Sequence, residues 1–194
     1  RNAKDSNSRG VGFNNSYFIN KKNNISYGAS FTNTLYDETP TFSSAETNNT
    51  DNYSAKINYN YNLTSKDILN SKITFNNVNG NANYNSYDSY GLTLGYSKYI
   101  PIGLLKLETN YKRKEHEAKD SFVNSTIDRI DQEVNGQILL TGQLNKILPF
   151  FKNLDKNNSV FYTFKYKYID VDSTILNNTT RRELLTYGIT KKIN

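Results

Sequence analysis

The chain has 194 residues and a formal net charge of +6, and it contains no cysteine. That length suits a single domain, 1–194, and the absence of Cys excludes disulfides and thiolate metal sites. Only 36% of residues are hydrophobic, yet 16 are Tyr and 10 are Phe. Disordered chains are poor in aromatic and β-branched residues, so disorder is excluded too.

The first predicted strand runs from about Gly10 to Asn20, with Val11, Phe13, Tyr17 and Ile19 on one parity. Lys21 to Asn24 is a tight turn. The second strand covers Ile25 to Tyr36 and leads into a long polar loop, Asp37 to Asp51, rich in Thr, Ser and Asn. Asn52 to Thr64 is the clearest segment: Tyr53, Ala55, Ile57, Tyr59, Tyr61 and Leu63 alternate with Ser54, Lys56, Asn58, Asn60 and Asn62. Side chains on a strand alternate between faces, so one face here is apolar and the other polar. Such a segment matches the ~9–11 residues that cross a bilayer at a tilt.

Ser65 to Asn70 reads as a turn, and the fourth strand as Ser71 to Tyr84. Its apolar residues shift from odd (Ile73, Phe75) to even positions (Val78, Ala82, Tyr84), which predicts a β-bulge near Asn76 to Asn79, with a loop around Asn79-Gly80 as the alternative. The fifth strand, Ser89 to Tyr99, sets Tyr90, Leu92, Leu94 and Tyr96 against Gly91, Thr93, Gly95 and Ser97. After the turn at Ile100 to Gly103, the sixth strand, Leu104 to Lys114, sets Leu105, Leu107 and Tyr111 against Lys106, Glu108 and Lys112. A polar loop over 115–128 leads to the seventh, Arg129 to Leu144, where Ile138 and Leu140 oppose Asp131, Glu133 and Gln137. The apolar stretch within Asn145 to Asn157 breaks the alternation and suggests a short helix at the membrane edge. The eighth strand, Ser159 to Asp170, carries Tyr162, Phe164 and Tyr166 against Lys165 and Lys167, and the ninth runs from Arg181 to Ile193.

This pattern predicts an all-β, antiparallel transmembrane β-barrel with about nine strands visible. No run of 18 apolar residues is present to form a transmembrane helix. The lipid-facing set is Tyr53, Ile57, Tyr59, Leu92, Leu94, Leu105, Leu107, Ile138, Leu140, Tyr162, Phe164 and Tyr166. The lumen-facing set is Lys56, Asn58, Lys106, Glu108, Lys112, Asp131, Glu133, Lys165 and Lys167, and ion pairs between neighbouring strands are expected to hold that wall together. Tyrosines near strand ends (Tyr17, Tyr36, Tyr53, Tyr84, Tyr90, Tyr99, Tyr168) suit interfacial girdles. Short turns place Lys21–Asn24 and Ile100–Gly103 in the periplasm, and the longer loops 37–51 and 115–128 outside. The ninth strand then ends in the periplasm, while the first starts outside. Single-chain bacterial barrels are normally even-stranded, so the chain is expected to be the C-terminal part of a larger barrel; a ten-stranded closed barrel with a further strand in Arg1 to Arg9 is the alternative.

Chemistry-bearing motifs are sparse. His116, flanked by Glu115 and Glu117, lacks a second ligand group for a metal. Asp128, Arg129, Asp131 and Glu133 cluster near the outer rim, where alternating charges line a wall more often than they catalyse. Arg181-Arg182 reads as an anchor where loop meets strand. No nucleophile elbow, phosphate loop or metal-ligand spacing is found, so a non-enzyme without cofactors is expected. Basic residues are dispersed apart from 112–114, which argues against nucleic acid. The abundance of Asn, with Lys and Ile, suggests an AT-rich genome and carries no functional content.

From Tyr90 onward, YGLTLGYSKYIPIGLLKLETNYKRK, RIDQEVNGQILLTGQL and the closing FYTFKYKYIDVDSTILNNTTRRELLTYGITKKIN form a Tyr-x-Tyr strand, an Asp-Ser-Thr external segment and an Arg-led last strand. This cadence resembles the C-terminal barrel of the surface lipoprotein assembly modifiers, which join periplasmic tetratricopeptide repeats to a barrel. The resemblance implies export of lipoproteins or other polymers to the cell surface. It also implies residence in a Gram-negative outer membrane, with lipids, the barrel assembly machinery and a polymer cargo as partners. Barrels of this kind usually end on an aromatic residue, whereas this chain ends Lys192-Ile193-Asn194. A passive porin, an adhesin-like barrel and a soluble lipocalin-like barrel are the alternative readings.

Overall fold

The computed structural model describes residues 6–36, 48–119, 126–148, 150 and 160–191. Nine strands account for most of them: β1 (Ser6–Phe18), β2 (Asn23–Tyr36), β3 (Thr50–Asn62), β4 (Asp67–Gly80), β5 (Tyr87–Ile100), β6 (Gly103–His116), β7 (Ile130–Gln143), β8 (Val160–Ser173) and β9 (Thr180–Lys191). Each strand pairs antiparallel with the next in the order β1 to β9, giving one sheet whose edges, β1 and β9, stay unpaired. The strands are 12 to 14 residues long, about twice the usual length in soluble proteins.

Register explains why the alternating sequence forms this sheet. Directly opposed residues share a face. Ile57 faces Ile73, Ile73 faces Leu92, and Leu92 faces Tyr111. One parity earlier or later, Lys56 faces Thr74, Thr74 faces Gly91, Gly91 faces Lys112 and Lys112 faces Glu133. The apolar parity therefore accumulates on one face and the polar parity on the other. A one-residue slip in any pair would interchange them.

Burial shows how unlike a soluble protein this is. Among the described residues only Val78, Leu144, Tyr162 and Ile175 are buried hydrophobics. The apolar face lies open instead, with Ile73 at 60% exposure and Ile57 at 53%. A continuous apolar face of this extent requires a nonaqueous neighbour.

The structure corrects several expected boundaries. β4 starts at Asp67, earlier than expected, and pairs without interruption as far as Asn79 and Gly80 opposite Asp51 and Thr50. No bulge interrupts it. Val78 simply points to the polar face and is buried there, while Ala82 and Tyr84 belong to a 3-10 turn region over 82–85. The expected turn at Ser65 to Asn70 contracts accordingly: Thr64 Oγ donates to the Asp67 carboxylate and accepts the Asp67 amide. β8 continues through Ser173, three residues beyond its expected end. After β7, Leu144–Lys146 forms a single 3-10 turn; the remainder of the expected short helix, apart from Ile147, Leu148 and Phe150, lies outside the described residues. So does most of the 37–51 loop, and 120–125 of the loop before β7.

Candidate functional site

The polar face is the candidate site, because it gathers nearly every charged strand residue away from the strand ends. Lys56, Asn58, Lys106, Glu108, Lys112, Asp131, Glu133, Lys165 and Lys167 all fall on it by register. Lys56, Lys112 and Glu133 share one row. Glu108 and Lys167 flank Gln137, and Lys106 and Lys165 flank Leu139. Asn58 lies opposite Lys72. Lys72, Lys114 and Arg182 stand on the same face; the sequence reading does not assign them to it, although their parity was available, and takes Arg182 only as an anchor.

The twelve residues expected to face lipid lie on the opposite face. Tyr53, Ile57, Tyr59, Leu92, Leu94 and Leu107 are each at least 38% exposed. Leu105, Leu140 and Phe164 form one row, and Leu107, Ile138 and Tyr166 another. Tyr162 is buried at 7% exposure. It lies over Gly142, and its hydroxyl donates to the Ile102 carbonyl at 3.0 Å. Gly142 is required there: a Cβ would sit 2.3 Å from the Ile102 carbonyl oxygen. Among the strand-end tyrosines, Tyr17, Tyr53, Tyr90 and Tyr168 stand on the apolar face. Tyr36 and Tyr99 take the polar parity, and Tyr84 lies in the turn after β4.

The expected cross-strand ion pairs are not what binds the polar wall. Among the described residues the ion pairs sit near strand ends: Asp67–Lys98, Arg113–Glu115, Arg129–Asp131, His116–Asp131 and Asp170–Arg181. Lys112 and Glu133 are opposed in register but are not among them. Neutral groups do the bridging. Ser30 and Ser54 hydroxyls meet at 2.7 Å, and the Asn60 amide donates to Asn24 at 3.3 Å. Asn70 donates to Asn58 and to Asn60, and Asn110 donates to Thr93 at 2.9 Å. Asn, Ser and Thr are short, and their polar groups meet directly across adjacent strands.

Where the last residues of β6 and β8 meet the start of β7, a dense polar cluster forms. Asp131 is 6% exposed. Arg129 grips its carboxylate through Nε at 3.1 Å and Nη2 at 2.7 Å, and the Ser173 hydroxyl donates to it at 2.6 Å. His116 Nε2 stands 3.5 Å from the same carboxylate, and its Nδ1 lies 3.3 Å from the Tyr84 carbonyl. These groups lie at strand ends, beyond the roughly ten residues that cross the hydrocarbon. Burial, together with the Arg129 guanidinium, holds the imidazole below its ordinary range. Burial pushes the Asp131 carboxyl upward, but the Arg129 and Ser173 hydrogen bonds outweigh it and hold the group below the usual carboxylate range.

Ser, Asp and His here do not form a nucleophile relay. The Ser173 hydroxyl is committed to the carboxylate, so the imidazole is not placed to take its proton. Among the described residues, no group of three or more His, Cys, Asp or Glu side chains converges. Glu115, beside His116 in sequence, lies on the other face and pairs with Arg113. Glu133 accepts from Asn135 rather than joining Asp131. Asp128 contributes only its carbonyl, which accepts from Thr174. Arg181 and Arg182 split across the two faces: Arg181 donates to Asp170 at 3.3 Å, while Arg182 stands on the polar wall.

Backbone bonds tie the loop bases around this cluster. Glu117 N–H donates to the Ser86 carbonyl, His116 N–H to Arg129 and Thr174 N–H to Ile130. The connections β4–β5, β6–β7 and β8–β9 are thereby joined at their roots.

No protein-family model and no curated protein matches this sequence. Among solved structures, OccAB3 of Acinetobacter baumannii, an outer-membrane β-barrel porin, superposes with a TM-score of 0.59 at 10% identity. The match covers 98% of this chain and 50% of that one. The fold is therefore of the outer-membrane β-barrel kind, and the chain spans half the length of the barrel protein it matches.

Proposed function

We propose that this chain forms wall of a barrel in a bacterial outer membrane that passes hydrophilic material across the bilayer. The observation behind this reading is the separation of faces, held in register across nine strands. An apolar face of this size is stable against lipid, and a polar face behind it is stable only against water or polar solute. The barrel likeness to OccAB3 is consistent with transport, and non-enzymatic passive conduction is the simplest mechanism: the wall supplies a wetted path and its charge biases entry. The lipid environment and the barrel assembly machinery are the partners this placement implies.

Export of lipoproteins or other polymers is the second reading, favoured by the resemblance of residues 90–194 to the surface lipoprotein assembly modifiers. Both are tested with the natural full-length protein purified from its membrane. Stepwise ion current in a planar bilayer supports conduction. A conductance-silent barrel that delivers a lipoprotein to the outer surface of reconstituted vesicles supports export. Silence in both assays refutes the transport reading.

A further inference from the structure

The charge on the polar wall is lopsided. Register places Lys56 and Lys72 there from β3 and β4, and Lys106, Lys112 and Lys114 from β6. Lys165 and Lys167 from β8 and Arg182 from β9 join them. Among the described strand residues, three carboxylates, Glu108, Asp131 and Glu133, stand against these eight cations, a surplus of five positive charges. The opposite face carries its own charges near strand ends, where Asp170 meets Arg181 and Asp67 meets Lys98.

The surplus is also poorly neutralised at contact distance. Asp131 is held by Arg129 and Ser173, and Glu133 accepts from Asn135. Among the described residues, none of the wall lysines makes an ion pair with a wall carboxylate. Most have small or neutral cross-strand neighbours: Lys56 faces Gly28 and Thr74, Lys72 faces Asn58 and Thr93, and Lys165 faces Leu139 and Thr186. Lys112 and Lys114 stand opposite Glu133 and Asp131 without forming an ion pair with them. An ammonium group with no fixed counter-ion is available to a mobile one. A row of them in a confined, partly low-dielectric path lowers the energy of a passing anion and raises that of a cation.

We infer that the conduit favours anions, so its preferred solutes carry oxyanion groups such as carboxylates or phosphates. This rests on the proposed conducting role. Screening sets the working range. The preference is strong near 0.1 M salt, where the Debye length is about 10 Å, and fades toward 1 M, where it is about 3 Å.

The test is the zero-current potential of the natural full-length protein in a planar bilayer under a potassium chloride gradient. Chloride permeability several-fold above that of potassium at low salt, collapsing at high salt, is the expected result. The double variant Lys165→Glu/Lys167→Glu reduces the wall surplus from five charges to one and shifts the potential toward potassium. Lys165→Gln/Lys167→Gln lands between, and its single-channel current shows that the barrel is folded. A conducting channel that prefers potassium, or one whose selectivity ignores both doubles, overturns the inference and leaves the conduction reading standing. Absence of current removes the conduction reading and the inference with it.

Discussion

The decisive perturbation is a charge at the centre of the apolar face, and Ile73→Arg supplies it. β4 has 14 residues, and Ile73 is six from Asp67 and seven from Gly80. With a rise of about 3.4 Å and a tilt near 40°, each residue climbs roughly 2.6 Å along the membrane normal. Ile73 thus lies about 16 to 18 Å from either end of its strand, in the middle of an apolar band about 25 Å tall. Arg at that depth costs about 2–4 kcal/mol, which lowers the folded-to-unfolded ratio by about 30- to 900-fold. Thr74→Arg is the matched control, one residue along and on the polar face, with an expected cost within about 1 kcal/mol. Urea titration of the natural protein in vesicles, read by heat-modifiable migration, measures both. Equal costs for the two variants, or a larger cost for Thr74→Arg, would refute the assignment of faces.

Gly142→Ala should destabilise the barrel by about 1–3 kcal/mol, since its Cβ meets the Ile102 carbonyl and the Gly103 backbone. Gly136→Ala, where a Cβ meets nothing within 4 Å, should be neutral or gain up to about 1 kcal/mol in the same titration. Asp131→Ala leaves the Arg129 guanidinium and the Ser173 hydroxyl without their acceptor, so limited proteolysis should cut the loop between β6 and β7 several-fold faster, whereas the central strands stay protected. The pH dependence follows from the two depressed groups. His116 binds a proton less readily folded than unfolded, so rim stability is full above its ordinary pKa and falls as pH drops through it; His116→Gln removes that step. Asp131, also depressed, contributes stability above the ordinary carboxylate range and loses it as pH falls below that range; Asp131→Asn removes this second step. Hydrogen exchange of the loop amides across pH 3 to 8 separates the steps.

Period-two alternation made the nine strands legible from sequence, because an apolar face held in register across a sheet must repeat strictly. The misreading at β4 came from the same rule applied too far. Val78 is apolar yet points to the polar face, where it is buried, and Ala82 and Tyr84 lie past the strand end. Length was the other source of error. Ser6 to Arg9 and Val171 to Ser173 are polar or mixed at the sheet rim, so hydrophobicity does not mark them, although pairing with Asn33 to Tyr36 and Asp131 to Glu133 does. The rim cluster was out of reach for a different reason. His116, Asp131 and Ser173 are far apart in sequence, and only the register of β6, β7 and β8 brings them together. The ion-pair expectation failed because opposed register positions do not by themselves make contact: Glu133 stands opposite Lys112 yet accepts from Asn135.

The abundance of asparagine gains a physical meaning from the polar wall. Each amide both donates and accepts, so Asn24, Asn58, Asn60 and Asn70 satisfy one another across β2, β3 and β4 without any charge. A seam knitted this way neither titrates nor weakens in brine, unlike one built from ammonium and carboxylate. An asparagine-rich face of this kind keeps its cohesion through swings of acidity and salinity that would loosen a wall of ion pairs.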